Sequence, residues 1–526
     1  MDSAAVSLIP LWVILGYLGL LIGLGLVTRA LFRGTAADYF VAGRSIGPFL
    51  LLMSVFGTTM TAFALVGSTG KAYDYGIGVY GLMASSSGLI HSAVFFLVGM
   101  KLWAIGKRHG YVTQIQYFRA RFDSNGLGYL LFPILVGLVI PYLLIGLVGT
   151  GSVVRGATVG MFPETFAGVP NPRTGAMMFV GAVPPWLSGL VVSGVVLFYI
   201  FGGGVRSAAW ANTFQTIVFM VTGVIAFTLI SKTLGGLAAA TQKVLENAPE
   251  HLAREGRISH LQFLSYGLVP LSVGMFPHLF QHWLTARSAK TFRLSVVFHP
   301  IYIMIVWVPC ILIGIWAKGI GIEAPGGNVN AVLARTVAQL LHEPVLSGVL
   351  TAGILAAIMS SLDSQFVCLG AMFTHDIVLH RYGTDKISDR QQVTLGRAFI
   401  VAIVIITYLL TFLPTPNVFD LAVWCFSGFA SLFPLVFASL YWRRVTLAGA
   451  VASILVTVAA WGAFFYDGFL AAILAGEKPA GEYLVFGMMP VAVIFAASAV
   501  TLVLVSLATS PPPRAVVDKF FMKPAA

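Results

Sequence analysis

Hydroxyl residues cluster near the middle of the long apolar run 345–373, within the segment "GILAAIMSSLDSQF" at 353–366. Together with Ala357, three serines follow the spacing i, i+3, i+4, i+7, which places the four side chains on one face of a helix: Ala357, Ser360, Ser361 and Ser364. Hydroxyl and backbone carbonyl oxygens suit a hard monovalent cation better than imidazole or thiolate does. Serines that bridge helices, or that bond their own helical turn, would give the same spacing. The spacing alone is consistent with either an ion site or helix packing.

An aspartate, Asp363, lies in the same run. Placing a charged side chain at the centre of a membrane helix costs about 3 kcal/mol on insertion scales, so such residues usually mark a functional site. The alternative is a structural salt bridge to a base inside the helix bundle, such as Arg206. We favour the functional interpretation, in which the carboxylate binds a cation or a proton.

The composition indicates an integral membrane protein. Of the 526 residues, 58% are hydrophobic and 10% are charged, whereas about 25% are charged in an average soluble protein. The net charge of +12 does not indicate nucleic-acid binding, because the basic residues form short clusters between apolar runs and not one stripe.

Thirteen apolar segments are long enough to span a membrane as helices. The positive-inside rule then predicts an outer N-terminus and a cytoplasmic C-terminus, because 21 of the 31 lysines and arginines fall in segments assigned to the cytoplasm. We expect a multi-pass protein of the plasma or inner membrane. The predicted spans are 8–28, 47–69, 76–100, 127–150, 186–203, 210–231, 261–284, 294–317, 345–373, 396–413, 418–440, 446–466 and 484–507.

Two of these spans contain helix-breaking residues at depth. The second, "FLLLMSVFGTTMTAFALVGSTG", has Gly57 among hydroxyl residues, and the seventh, "FLSYGLVPLSVGMFPHLFQHWL", has Pro270, Gly274 and Pro277. Broken helices five spans apart predict two halves of inverted topology with a binding site between them. Backbone carbonyls freed at the first break, near Gly57 and Met60, could complete a cation site.

The same pattern divides the single predicted domain, 1–526. The first repeat covers 47–231 and the second covers 261–440, with an extra N-terminal helix at 8–28 and extra C-terminal helices at 446–507. The outer loops 232–260 and 318–344 each contain one helix-forming stretch, which we interpret as a solvated helix on the outer surface.

Three motifs resemble the sodium:solute symporter family: "DYFVAGRSIGPF" at 38–49, "FGGGVRSAAWANTFQ" at 201–215, and "AAIMSSLDSQ" at 356–365 followed by "FTHDI". The resemblance extends over nearly the whole chain. It implies an all-α membrane fold of the LeuT type, with inverted repeats of five helices each within about thirteen spans, and sodium as the coupling ion.

The resemblance also implies a sodium site between the first broken helix and the serine-bearing helix. Its ligands would be the carbonyls of Gly57, Met60 and Ala357 and the hydroxyls of Ser360 and Ser361.

Some family members hold a second sodium with an aspartate at the position of Asn212. Because this chain has an asparagine there and Asp363 elsewhere, we hypothesise that Asp363, Ser364, Ser360 and Asn212 form a second cation site or a proton site.

For the solute, the resemblance points to Tyr142, Gly274, Pro277 and His278. Sodium/proline symporters carry aromatic residues where this chain has Val269 and Val273, which disfavours proline. Sodium/pantothenate and monocarboxylate symporters are also similar, and a carboxylate would suit the positive end of a half-helix at Gly57 or Gly274. A hydrogen bond from His278 to that carboxylate and a packing role for His278 both remain open. Gln281 and His282 are interpreted as vestibule or packing residues.

The sequence therefore predicts a sodium-coupled symporter that imports a small organic carboxylate by alternating access, and not an enzyme. The partners implied are the solute, sodium and the lipid bilayer, without nucleic acid or an obligatory protein partner. Two alternatives stay open at this point: a proton-coupled carrier of the same fold that uses Asp363, and a solute-sensing membrane receptor.

Overall fold

The computed structural model describes residues 7–30, 32–170, 177–253, 257–324, 327–477 and 482–521. Strands β1 (Val169–Pro170) and β2 (Met177–Met178) form a short antiparallel pair in which Val169 lies opposite Met178. The helices of the first half of the chain are α1 (Ile9–Ala30), α2 (Ala36–Val41), α3 (Pro48–Thr59), α4 (Ser68–Tyr75), α5 (Gly78–Met83), α6 (Ser87–Val94), α7 (Met100–His109), α8 (Gln114–Phe122), α9 (Asn125–Ala157) and α10 (Pro185–Thr233).

The second half continues the helical pattern and ends with a short helix beyond the last span. Its helices are α11 (Leu237–Asn247), α12 (His260–Tyr266), α13 (Pro277–Thr285), α14 (Phe292–Gly319), α15 (Val332–Leu340), α16 (Pro344–Met372), α17 (Leu379–Tyr382), α18 (Asp389–Leu410), α19 (Val418–Ser431), α20 (Phe433–Tyr441), α21 (Leu447–Phe465), α22 (Ala471–Leu474), α23 (Pro490–Ala508) and α24 (Arg514–Phe521).

The first predicted break is present between α3 and the helical segment 63–75, whose axes differ by 56°. Met60 leaves the helical conformation, with φ −89° and ψ 95°. Thr61 then caps the second half-helix, because its Oγ1 accepts a hydrogen bond from the Phe63 N–H at 3.0 Å. The threonine-rich sequence thus ends one half-helix and begins the next.

The second predicted break is also present. The segment 260–274 and α13 form a pair bent by 49°, and the first of the two ends in a 3₁₀ turn at Val269–Gly274. Pro277 occupies the first turn of α13, where its missing N–H costs no helical hydrogen bond. The prediction of two broken helices is confirmed.

Helix α10 is one continuous stretch of 49 residues that contains a junction. A straight helix of that length would be about 74 Å long, more than twice the apolar thickness of a bilayer. Gly203 (φ −150°) and Gly204 (φ +57°) are not helical and divide it into two spans. The described residues contain twelve candidate spans when each bent pair is taken as one, and dividing α10 gives the thirteen that the sequence predicts.

Helix α16 lies at the centre of the bundle. In its most apolar window 83% of the residues are buried inside the protein, compared with 33% in α1 and 28% in α23. The serines and the aspartate of α16 therefore face protein and not lipid.

The two long loops predicted to lie outside contain the two predicted helices, α11 and α15. For α15, the prediction of a solvated outer helix is wrong, because Val332, Leu333 and Val337 are buried. Its apolar side packs against α9 and α14.

Candidate functional site

The first broken helix and α16 meet at Ser360. The Ser360 hydroxyl lies 2.7 Å from the carbonyl oxygen of Gly57 and 2.8 Å from that of Ala357. The hydroxyl of the next residue, Ser361, donates to the Ile358 carbonyl at 2.9 Å. The fold thus brings three of the predicted sodium ligands into direct contact, while Met60 lies at the break and Ser361 beside Ser360.

Gly57 lets α3 approach α10 closely because it has no side chain. A Cβ atom at this position would overlap the hydroxyl of Thr216 and would lie 3.3 Å from the Asn212 carbonyl, both on α10. Thr216 also donates to the Met53 carbonyl at 3.1 Å, which holds α3 against α10. The carbonyl of Gly57 is therefore positioned by close contact of two helix backbones.

Asp363 is fully buried and accepts hydrogen bonds from neutral groups. Tyr199 on α10 donates to its Oδ2 at 3.1 Å, and Ser364 donates to its Oδ1 at 3.0 Å. The alternative of a salt bridge to Arg206 is not what the structure shows, because Arg206 pairs with Asp38 at 2.5 Å.

Asn212 joins this cluster from α10. With its amide oxygen facing the Ser364 hydroxyl at 2.9 Å, its nitrogen donates to both oxygens of Asp363, at 3.0 and 3.1 Å, and to the Ser360 carbonyl at 2.8 Å. The opposite orientation would point the amide oxygen at the carboxylate, so we assign this one. The four residues hypothesised as a second site, Asp363, Ser364, Ser360 and Asn212, are thus in direct contact.

His282, which the sequence suggested as a vestibule or packing residue, is buried and extends the cluster toward α3. Its Nε2 lies 2.9 Å from the Ser364 hydroxyl and its Nδ1 lies 3.0 Å from that of Ser54. A histidine within an apolar half-helix is a sequence feature that could have identified His282 as a member of this cluster. Tyr199 carries no comparable signal. Gln281 has a packing role, as it donates to the Phe40 carbonyl at 2.7 Å.

A small cavity of about 30 Å³ lies between the two broken helices. Tyr142 lines it, as do Thr59 at the first break and Phe276 at the second. The remaining lining residues come from the helices around the breaks: Phe63, Ser87, His91, Tyr266, Val269, Pro270, Ser272, Val273, Trp307 and Phe426.

The other predicted solute residues lie around this cavity. The ring of His278 is 5.1 Å from that of Phe276 and 5.5 Å from that of Tyr142, so it stands behind the lining. Neither of its ring nitrogens has a hydrogen-bond partner among the described residues. Pro277 begins α13, and Gly274 packs against the ring of Phe433.

Comparison with known proteins gives a consistent family. The profile of the sodium:solute symporter family matches residues 39–161 and 186–457. The chain is 26% identical over 454 residues to the sodium/proline symporters of Staphylococcus aureus strains JH9 and NCTC 8325, an alignment that covers 83% of this chain and 81% of each relative.

Two solved structures share the fold. A Na⁺-coupled sialic acid symporter in a substrate-bound outward-open state aligns with a TM-score of 0.71 at 16% identity, covering 96% of this chain and 99% of that one. Mhp1, a nucleobase-cation-symport-1 family transporter in a closed conformation with bromovinylhydantoin bound, gives 0.52 at 12%, covering 92% and 95%. The predicted LeuT-type fold is confirmed.

These matches settle the class of protein. The chain is a multi-pass membrane protein that couples the transport of a small solute to sodium. Its family match extends over more than half of its length, so the chain belongs to the sodium:solute symporter family.

Proposed function

We propose that this chain imports a small organic carboxylate together with sodium, by alternating access. One observation carries the proposal: the Ser360 hydroxyl contacts the carbonyls of Gly57 and Ala357, at 2.7 and 2.8 Å, where the first broken helix meets α16. Carbonyls of an unwound membrane helix, together with hydroxyls, are suitable ligands for sodium. The proposed ligand set is completed by Met60 and Ser361.

Sodium at this position links the two halves of the molecule. When bound, it holds the first broken helix against α16, and the cavity at Thr59 begins two residues beyond Gly57. Ordering the helix for the ion also orders the wall that the solute contacts. The coupling is reciprocal, so that solute and sodium raise each other's affinity by the same factor.

The solute binds in the cavity between the broken helices. Tyr142 forms part of that wall, and His278, with both ring nitrogens unpaired in the described structure, is available to an acceptor once the cavity opens. The positive N-terminal ends of the second half-helices, at Thr61 and Pro277, favour an anionic group. Gly57 and Gly274, which the sequence suggested for this role, instead lie in the last turns of the preceding helical segments. In the proposed orientation the N-terminus is outside and the C-terminus is cytoplasmic, with 1–526 as one transporter domain.

The sodium site is tested by removing both hydroxyls with Ser360→Ala and Ser361→Ala. Because an oxygen contact to a charged group contributes about 1.5–3 kcal/mol, the sodium concentration for half-maximal uptake should rise at least about 10-fold. Uptake into proteoliposomes is measured against sodium concentration at fixed membrane potential, with choline as the replacement cation.

Thr351→Val is the matched control. Thr351 is also buried on α16, but its hydroxyl donates at 2.8 Å to the Ser347 carbonyl of its own helix. This variant should keep the sodium dependence of the unmodified chain. Uptake that follows sodium in the same way after both serine substitutions would contradict the proposed site.

A second candidate function is favoured by the closed hydrogen-bond cluster of Asp363. The carboxylate contacts Tyr199 and Ser364, and the cluster continues through His282 to Ser54. Such a set of groups can hold a proton or a second cation. In this alternative the chain is a proton-coupled carrier, or sodium and a proton are both coupled to the solute.

A further inference from the structure

One wall of the central cavity carries polar groups without partners. Ser87 and Trp307 both line the cavity. The Ser87 hydroxyl and the Trp307 indole nitrogen are buried and have no hydrogen-bond partner among the described residues. A buried polar group without a partner costs about 1–3 kcal/mol. Because these two also border one cavity, they are positioned to pair with a polar group bound there.

His91 belongs to the same wall. It lies four residues after Ser87 on α6, so the two side chains share a helix face. Its Nδ1 is 3.0 Å from Nε2 of His299 on α14, which fixes the ring, and His91 itself lines the cavity. Trp307 lies on α14, two turns beyond His299. The wall is therefore built where α6 packs against α14.

The chemistry of this wall selects a hydrogen-bond acceptor. An indole N–H only donates, a hydroxyl donates readily, and a neutral imidazole donates when its other nitrogen accepts. The complementary groups are the oxygens of a carboxylate. Aromatic rings make up half of the remaining lining, including Phe63, Phe276 and Phe426. They suit a solute whose remaining part is apolar.

We propose that Ser87, His91 and Trp307 form the recognition wall for the carboxylate of a short aliphatic monocarboxylate such as propionate. The inference rests on the proposed function and names its solute class. The small cavity, about 30 Å³, matches a small solute, because less expansion is needed to admit it. A zwitterionic amino acid would add an ammonium group that this wall of donors does not match.

The inference is tested by the uptake of [¹⁴C]propionate into proteoliposomes under a sodium gradient. Acetate, pyruvate and lactate should compete with propionate, whereas pantothenate, proline and propionamide should compete at least about 10-fold less well. Absence of sodium-driven propionate uptake, or stronger competition by proline or pantothenate, would overturn the assigned solute class.

Two substitutions test the wall itself. Trp307→Phe and Ser87→Ala should each raise the KM for propionate about 10-fold, with the half-saturating sodium concentration changed less than about 2-fold. Trp283→Phe and Ser193→Ala are matched controls, because those side chains also have buried, unpaired polar atoms but do not line the cavity. They should leave the KM unchanged.

Equal KM values for the Trp307 and Trp283 variants, in protein that elutes as the unmodified chain does on size exclusion, would overturn the recognition wall. The sodium site is read separately from sodium-induced thermal stabilisation, which the double variant with Ser360→Ala and Ser361→Ala should lose at sodium concentrations that stabilise the unmodified chain. If that loss occurs while propionate transport is absent, the solute inference fails and the sodium-coupled function stands.

Discussion

At the scale of single residues, Asp363 differs from the other carboxylates whose pairing is described above. Asp38 pairs with Arg206, whereas Asp363 contacts a phenol, a hydroxyl and an amide. A buried carboxylate bound only by neutral donors is free to exchange its charge for a proton or to attract a cation. These contacts are the basis for proposing Asp363 as a cation-binding or proton-binding residue.

Asp363→Asn keeps the side-chain shape and removes the charge. If Asp363 binds a second cation, the Hill coefficient for sodium should fall from about two to about one, because one charged ligand is lost. If it binds a proton, the pH dependence of uptake should flatten. Both are measured by proteoliposome uptake with sodium and pH varied independently.

Asp467→Asn is the control, since Asp467 also accepts a hydrogen bond from a tyrosine, Tyr483, at 2.6 Å, but is exposed. It should alter neither property. An unchanged Hill coefficient and an unchanged pH profile for Asp363→Asn would exclude both roles.

At the scale of elements, the junction inside α10 decides where its two spans lie. Gly204 has φ +57°, and a Cβ atom there would overlap the Tyr39 carbonyl and approach the Tyr39 ring at 2.8 Å. Next to it, Arg206 bonds Asp38 and the Ala42 carbonyl. The junction thus connects two of the motifs that carry the family resemblance.

Gly204→Ala should lower the free energy of unfolding by about 2 kcal/mol or more, because an L-residue is strained in this conformation. Gly194→Ala, in the same helix with nothing within 4 Å of the added Cβ, should be neutral or stabilising by about 0.5–1 kcal/mol. Thermal unfolding of the purified chain in detergent measures both. Equal melting temperatures for the two variants would contradict the role of the junction.

At the scale of the whole molecule, one buried lysine joins three distant parts of the chain. Lys71 on α4 lies 2.6 Å from Glu482 and 3.6 Å from Asp420 of α19. Its ammonium also stands 3.7 Å from the centre of the Tyr75 ring. The half of the first broken helix that follows the break is therefore tied to the second half of the molecule and to the segment before α23.

Lys71→Met should lower the free energy of unfolding by about 3 kcal/mol, because it leaves two partly buried carboxylates without their cation. The triple variant with Asp420→Asn and Glu482→Gln removes those charges and should recover at least half of the loss. Thermal unfolding again provides the measurement. A single variant as stable as the unmodified chain, or a triple variant no better than the single one, would show that the cluster contributes little.

The sequence by itself determined the membrane class, the thirteen spans, the two broken helices and the clustering of Ser360, Ser361 and Asp363 on one element. These features follow from local properties: apolar length, the backbone preferences of glycine and proline, and helical spacing. The three family motifs added the fold, because they occur in order along the chain.

Only the tertiary structure decided which residues share a site. Tyr199 and His282 reach the Asp363 cluster from 164 and 82 residues away, and Ser87 and Trp307 border one cavity from separate helices. The tertiary structure also shows that α15 is buried, which we did not predict from the sequence of the loop 318–344. Contacts between distant segments depend on how whole helices pack, and no spacing along the chain encodes them.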